Sequence, residues 1–230
     1  MRSLAARVRQ DEQMDDPSLA PDDYAAILAD LERVNRWTFA GRPTLDFLAR
    51  AARGLRSFRL LDVGFGQGDM LRRIARWAAR RGIEAELVGV DLNEKSAKVA
   101  RAATPPELNI DYRTSDYRGH GRFDFIVSSL VAHHMSDDQL RDFLRFMEGE
   151  ARRGWLVNDL HRHRVSYLGF PVLARLLGVH RIVREDGQLS IARSFRPGEW
   201  RSILVAAGIP KGAARIRRYF PFRLCVERLF

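Results

Sequence analysis

Lysine is nearly absent from this chain. Only Lys95, Lys98 and Lys211 occur among 39 basic residues, so the formal net charge of +10 is almost wholly arginine. A surface built to hold polyanions draws on both residues and gathers them together. Here the arginines are scattered, with only short pairs such as Arg72-Arg73 and Arg217-Arg218. The charge is therefore read as arginine-rich composition rather than as the footprint of a nucleic acid or an acidic membrane. Cysteine is scarcer still. Cys225 stands alone, which excludes an internal disulfide and a cysteine metal cluster. No metal site is assigned from the sequence, because convergence of its histidines does not follow from spacing. No run of 18 apolar residues occurs, so a membrane-spanning helix is excluded. Met1 to Asp16 is polar and mixed in charge, without the apolar stretch of a secretory signal. The expected location is the reduced cytoplasm.

What is present is a chain of 230 residues, 46% hydrophobic, which suffices for one substantial domain. From Arg59 onward strand and helix patterns alternate. Strands are predicted at Arg59–Val63, Leu87–Asp91, Leu108–Tyr112, Phe123–Ser128 and Gly154–Asn158. Helices are predicted at Asp69–Arg81, with Asp69 as its cap and Gly82 as its stop, at Asn93–Ala102, and at Ser136–Met147. The last of these opens with a capping box, Ser136 and Gln139. This alternation predicts an α/β fold, doubly wound, with a parallel sheet covered on both faces. The tail breaks the pattern. A helix at Pro197–Ala207 stops at Gly208, and strands Ala213–Phe220 and Phe222–Leu229 have only Pro221 between them. So short a link implies an antiparallel hairpin. The segment 1–55, helical over Pro21–Arg53, precedes the main domain at 56–230. Residues 160–196 form an insertion with a turn expected at Glu185-Asp186-Gly187.

The glycine loop Leu61-Asp62-Val63-Gly64-Phe65-Gly66-Gln67-Gly68 follows a strand and opens a helix. Small residues in that setting let backbone N–H groups approach a ligand. A dinucleotide loop would want its third glycine at position 69, which is Asp69, so the hydride-transfer fingerprint fails by one residue. Asp91 ends the second strand, 23 residues past Gly68, where a carboxylate can accept both hydroxyls of a ribose. Asp62 could hold a ligand ammonium. Asp116, in Thr114-Ser115-Asp116-Tyr117, could meet an adenine amino group. Singly each aspartate also reads as a cap or turn residue. Three at the carboxyl ends of three adjacent strands mark a ligand crevice.

On these residues the chain resembles the class I S-adenosylmethionine (SAM)-dependent methyltransferases of the small-molecule type, over roughly Arg59 to Phe230. The resemblance implies a seven-stranded, mostly parallel sheet with an antiparallel last strand. It implies Gly64, Gly66 and Gly68 beside the methionine part of SAM, Asp91 on the ribose, and Asp116 on the adenine amine. It further implies Leu92 and Tyr117 on the adenine faces, with the Ser128 carbonyl and Asp62 near the methionine ammonium. S-adenosylhomocysteine (SAH) would be the product.

The fourth strand ends in Ser128-Ser129-Leu130-Val131-Ala132-His133-His134-Met135. Nucleic-acid amino-methylating relatives usually carry an Asn/Asp-Pro-Pro-aromatic motif here, so its lack argues against base amino groups as acceptors. Paired histidines resemble those of natural-product O-methyltransferases. Asp159 is expected just after the fifth strand, where it could orient a histidine or stabilise its imidazolium. His133, His134 and Asp159 are thus the catalytic candidates, one histidine removing the proton of a hydroxyl acceptor. His161 and His163 could join them. The N-terminal helices and the insertion are expected to form a lid, with Trp37, Phe39, Tyr167 and Phe170 lining a pocket for a phenol, polyketide or quinol. The alternatives are C-methylation of a quinone-type ring, a non-catalytic SAM-binding regulator, and a nucleic-acid methyltransferase.

Overall fold

The computed structural model describes residues 4–16 and 18–230. Its sheet has seven strands in the order β3-β2-β1-β4-β5-β7-β6. These are β1 (Ser57–Val63), β2 (Glu84–Asp91), β3 (Ile110–Thr114), β4 (Phe123–Ser129), β5 (Ala151–Leu160), β6 (Arg215–Tyr219) and β7 (Arg223–Leu229). β1 to β5 pair in parallel, while β7 runs antiparallel to both β5 and β6. The expected doubly wound sheet with an antiparallel last strand is therefore what forms. Strand order reverses between β1 and β4, and the crevice at that reversal is where ligands of such sheets lie.

Among the described residues, eight helices flank the sheet: α1 (Pro21–Trp37), α2 (Arg42–Ala51), α3 (Asp69–Ala79), α4 (Glu94–Ala103), α5 (Asp137–Glu150), α6 (Arg164–Leu176), α7 (Arg181–Arg193) and α8 (Pro197–Ala206). Successive strand residues point to opposite faces. Leu60, Phe125 and Val127 pack with α2, α3 and α4, whereas Leu61, Ile126 and Trp155 pack with α5 and α8. Because both faces are covered, the central strands are apolar runs rather than alternations. Removing one large side chain here, such as Phe125 or Trp155, costs about 3–5 kcal/mol. A third cluster joins α1, α6 and α7 through Ile27, Val34, Ala174 and Val183. No helix among the described residues is long and apolar enough to cross a membrane.

Several expected boundaries move. β3 starts at Ile110 instead of Leu108 and runs on to Thr114, paired with Asp91. β5 extends through Asp159, which lies inside the strand and not after it. The terminal strands are shorter than expected, joined by residues 220–222 with Phe222 at φ 54°. The N-terminal helical run is broken at residues 38–41, where Phe39 takes φ 50°. Asp69 does not cap α3. Gly68 holds the cap position with φ 76°, and Asp69 is the first helical residue. The capping box of α5 forms as expected between Ser136 and Gln139.

The largest correction concerns Glu185-Asp186-Gly187, which lies inside α7 and makes no turn. Buried Asp186 accepts the backbone N–H groups of Gln13 and Met14, at 3.0 and 2.9 Å. Gly187 leaves room for Phe170, since a Cβ there would lie 2.2 Å from that ring. Tertiary packing overrides the local turn composition.

Candidate active site

The glycine loop binds β1 to α3 with three left-handed residues, Gly64 (φ 75°), Gly66 (φ 55°) and Gly68 (φ 76°). Two of these positions also lack room for a side chain. A Cβ on Gly64 would lie 2.3 Å from Val131 Cγ2, and one on Gly68 would lie 2.3 Å from the Tyr112 hydroxyl. The close approach at Gly64 brings the segment after β4 against the loop. Leu130, at φ 63°, turns the chain there.

Asp91 closes the loop from the tip of β2. Its Oδ2 accepts the Gly66 N–H at 2.9 Å and its Oδ1 accepts the Asn93 N–H at 2.9 Å. Burial raises its pKa against those two hydrogen bonds. Beside it Leu92 is an exposed apolar side chain, 75% accessible. Asp62 is fully buried, and its Oδ1 has no hydrogen-bond partner. Burial, then the charges of Asp69 and Asp91, push its pKa up to about 8. The Ser129 hydroxyl at the end of β4 is buried and likewise unpartnered. Ser128 donates its hydroxyl to the Val63 carbonyl at 2.9 Å.

The loop after β3 places Asp116 and Tyr117. Asp116 is exposed, and its Oδ1 accepts the Arg118 N–H at 2.9 Å, a turn-forming bond. The Tyr117 ring leans on Phe143 and Phe146, with centroids 5.1 and 4.7 Å away.

His133 and His134 occupy a single 3-10 turn after β4, with ring centroids 4.3 Å apart. Asp159 holds the first of them twice. Its Oδ1 lies 2.7 Å from His133 Nδ1 and its Oδ2 accepts the His133 N–H at 2.8 Å. The extension of β5 to Leu160 is what brings Asp159 under the turn. The three residues singled out in the sequence are thus brought together by the fold.

A fourth and a fifth join them that the sequence does not reveal. The extended segment before α1 crosses the turn and inserts Glu12 beside both rings. Glu12 Oε1 is 3.6 Å from His133 Nε2, and Glu12 Oε2 is 3.8 Å from His134 Nε2. Asp15 Oδ2 is 3.1 Å from His134 Nδ1. Two arginines staple this strap down. Arg193 donates to the carbonyls of His133 and Gln10, and Arg7 donates to those of His133, Met135 and Arg193. Glu12 and His133 lie 121 residues apart, with no repeat or spacing that would link them in the sequence. Burial alone would lower the His133 pKa, yet Asp159 and then Glu12 push it up to about 9. Asp159 is correspondingly held below the usual carboxylate range, its burial outweighed by His133.

The remaining candidates fare differently. His163 caps α6 by accepting the Val165 N–H, and its ring stacks on Phe222. His161 pairs through its backbone with Phe222; burial, then Arg218, His163 and other cations, lower its pKa to about 4. Neither is placed with the central pair. Phe170, partly buried, packs against Gly187 at the α1-α6-α7 cluster. Trp37 and Phe39 are 60% and 53% exposed. Tyr167 is half-buried, its carbonyl accepting from Gln188.

Residues 60–152 match the family model described as a methyltransferase domain. This stretch of the chain, from β1 into β5, is thus similar to the domain of SAM-dependent methyltransferases. A ubiquinone biosynthesis O-methyltransferase of Mesorhizobium japonicum is 34% identical over 96 residues, which cover 40% of this chain and 36% of that protein. Another, of Erwinia tasmaniensis, is 28% identical over 165 residues, covering 67% and 63%. The matches thus span about a third to just under two thirds of these relatives. In fold, the chain is similar to the plantazolicin methyltransferase BpumL in complex with SAH, with a TM-score of 0.67 at 15% identity over 91% of this chain and 90% of that one. It is also similar to the magnesium protoporphyrin IX methyltransferase of Synechocystis with bound SAH, with a TM-score of 0.55 at 15% identity over 94% and 90%.

The site suits SAM on its own terms. The unpartnered oxygen of Asp62 is what an ammonium needs, since a buried carboxylate without a partner is costly. The glycine loop exposes backbone at a helix start. Asp91 sits at the strand tip with lone pairs beyond its two backbone bonds. Leu92 offers an apolar face.

Proposed function

We propose that this methyltransferase moves the methyl group of SAM to a hydroxyl of a small organic acceptor of phenolic, polyketide or quinol type. The observation that carries the reading is the His133-Asp159 pair with His134, set on the turn that packs against the glycine loop. SAM, when bound, supplies a methyl group on a sulfonium sulfur, ready for in-line displacement. Gly64, Gly66, Gly68, Asp62, Asp91, Leu92 and the Ser128 carbonyl hold it, with Asp116 and Tyr117 at its adenine end.

The chain's own task is to place the acceptor oxygen and take its proton. As the O–C bond forms and the S–C bond breaks, the hydroxyl proton passes to an imidazole nitrogen. His134 is the better acceptor of that proton. Its side chain is 28% exposed, whereas His133 is closed in and already holds a proton between Asp159 and Glu12 at neutral pH. Asp159 fixes His133, and His133 in turn holds the edge of His134. The strap before α1 and the pair α6-α7 serve as the lid. Excluding water there strengthens every charge interaction in the site. The O-methyltransferase names of the ubiquinone relatives support a hydroxyl over a ring carbon.

The test is a turnover screen with labelled SAM against phenols, quinols and polyketides, comparing His133→Ala and His134→Ala with the parent. Turnover should fall in His134→Ala while SAM affinity, read by calorimetry, is retained. Full activity in both single variants and in the double would end the base assignment.

A further inference from the structure

We propose that Glu12, His133 and His134 form a binding site for one divalent first-row cation of the zinc or iron(II) kind. Three potential ligand atoms, the two Nε2 atoms and a Glu12 oxygen, lie within 4.8 Å of one another. The two edges that meet at Glu12 measure 3.6 and 3.8 Å. Two ligands each about 2.0–2.1 Å from a tetrahedral ion are about 3.3 Å apart, so the Glu12 edges, one to each carboxylate oxygen, close by a few tenths of an ångström, and any edge as wide as the 4.8 Å bound closes by about 1.5 Å. Two imidazoles and one carboxylate make up a common donor set for zinc and for non-haem iron(II), leaving positions open for a further ligand.

The surroundings are those a cation site needs. A metal-bound histidine almost always engages its second nitrogen with a carboxylate, carbonyl or water, which fixes the ring and leaves Nε2 with its lone pair outward. Both histidines do so here. His133 Nδ1 meets Asp159 at 2.7 Å and His134 Nδ1 meets Asp15 at 3.1 Å. Glu12 is itself oriented by the Ser190 hydroxyl, which donates to Oε1 at 2.8 Å. Arg193 stands 3.8 Å from that same oxygen and offsets part of its charge, leaving Oε2 facing His134. Three carboxylates, Glu12, Asp15 and Asp159, thus surround two rings, with Arg193 and Arg7 as the nearby cations. A cation bound there takes the place of the proton that His133 shares with Glu12 and meets the charge of the carboxylates in its stead. Glu12 and His133 are buried, while His134 reaches solvent and gives an entry path.

This goes beyond the methyl-transfer reading and does not depend on it, since protein atoms alone supply the three ligands. A cation and the acceptor's proton would compete for the same Nε2 lone pairs. In the loaded protein a hydroxyl would be acidified by coordination to the cation instead of by a free imidazole.

The test uses the full chain, freed of metal by EDTA and dialysed, then titrated with Co²⁺ and with Zn²⁺ without SAM or acceptor. One equivalent should bind, with visible d–d absorption for Co²⁺. His134→Ala and Glu12→Gln should each weaken binding at least about 100-fold, and Asp159→Asn about 10- to 100-fold. His163→Ala should leave it unchanged, separating the site from the other histidine pair. Glu12→Gln keeps the shape of the side chain and its bond to Ser190, so the fold survives that change. No binding up to millimolar cation, or equal binding by the parent and both ligand variants, overturns the site. Either result leaves the methylation assay to be judged separately.

Discussion

The glycine loop and the histidine turn lie side by side but are assembled in opposite ways. The loop is local. Gly64, Gly66, Gly68 and the Asp62 that precedes them come from one stretch of eight residues, and only Asp91 arrives from the next strand. The histidine turn is a meeting of distant parts. His133 and His134 follow β4, Asp159 comes from β5, Glu12 and Asp15 from the N-terminal strap, and Arg193 from α7. The difference matches the division of labour proposed here. In that division the donor side is carried by a compact motif. The acceptor side is built from what distant segments bring.

The sharpest way to break that division is at His134. In His134→Ala, turnover should drop by about 10²- to 10⁴-fold with SAM affinity intact. A parallel loss of SAM binding would show that the two regions are a single functional unit. Next in size is Asp91→Ala. Losing charge-assisted hydrogen bonds worth about 1.5–3 kcal/mol should weaken SAM binding about 10- to 100-fold, measured by calorimetry. Unchanged affinity would overturn the pocket assignment.

Asp62 gives a pH-dependent test of the loop. Its carboxyl titrates at about 8 in the folded protein, against 3.8 when free. Between those values the folded state holds a proton that the unfolded chain has lost. Stability without ligand should therefore fall as pH rises from about 4 to 8, and level off above that. In Asp62→Asn this slope should shrink, seen as a flatter plot of Tm against pH. A ligand ammonium selects the ionised carboxylate, so SAM binding near pH 7 should release a proton. Calorimetry in two buffers of different ionisation enthalpy reads that release, and equal heats would remove Asp62 from the ligand. The smallest effect is expected at Trp37→Ala. That side chain is exposed, so stability should change by no more than about 0.5 kcal/mol. A rise in the acceptor's KM at unchanged Tm would place it on the acceptor's path.

The same contrast explains what can be read from the chain. The sheet is legible because central strands covered on both faces are short apolar runs, and Leu60-Leu61 or Phe125-Ile126-Val127 need only their own composition to declare themselves. The terminal hairpin is legible because a one-residue link leaves no length for a crossover, even though each strand is shorter than its pattern suggests. Asp69 misleads because an acid before a helix usually caps it, and only the left-handed Gly68 shows that the cap lies one residue earlier. Glu185-Asp186-Gly187 has the composition of a turn. It is helix because Asp186 serves the strap and Gly187 admits Phe170, two facts that no local window contains. Glu12 is invisible for the same reason. Its partners are set by how the strap folds back, held by Asp186, Arg7 and Arg193.

That fold-back has a practical consequence at the bench. The Leu4 carbonyl is gripped by buried Arg162 at 3.1 Å and by Arg196 at 2.7 Å, only eight residues before Glu12. An affinity tag fused ahead of Met1, or a chain trimmed to start at α1, would disturb the segment that carries Glu12 and Asp15 to the histidine turn. Purification by a tag at the other terminus is the safer course.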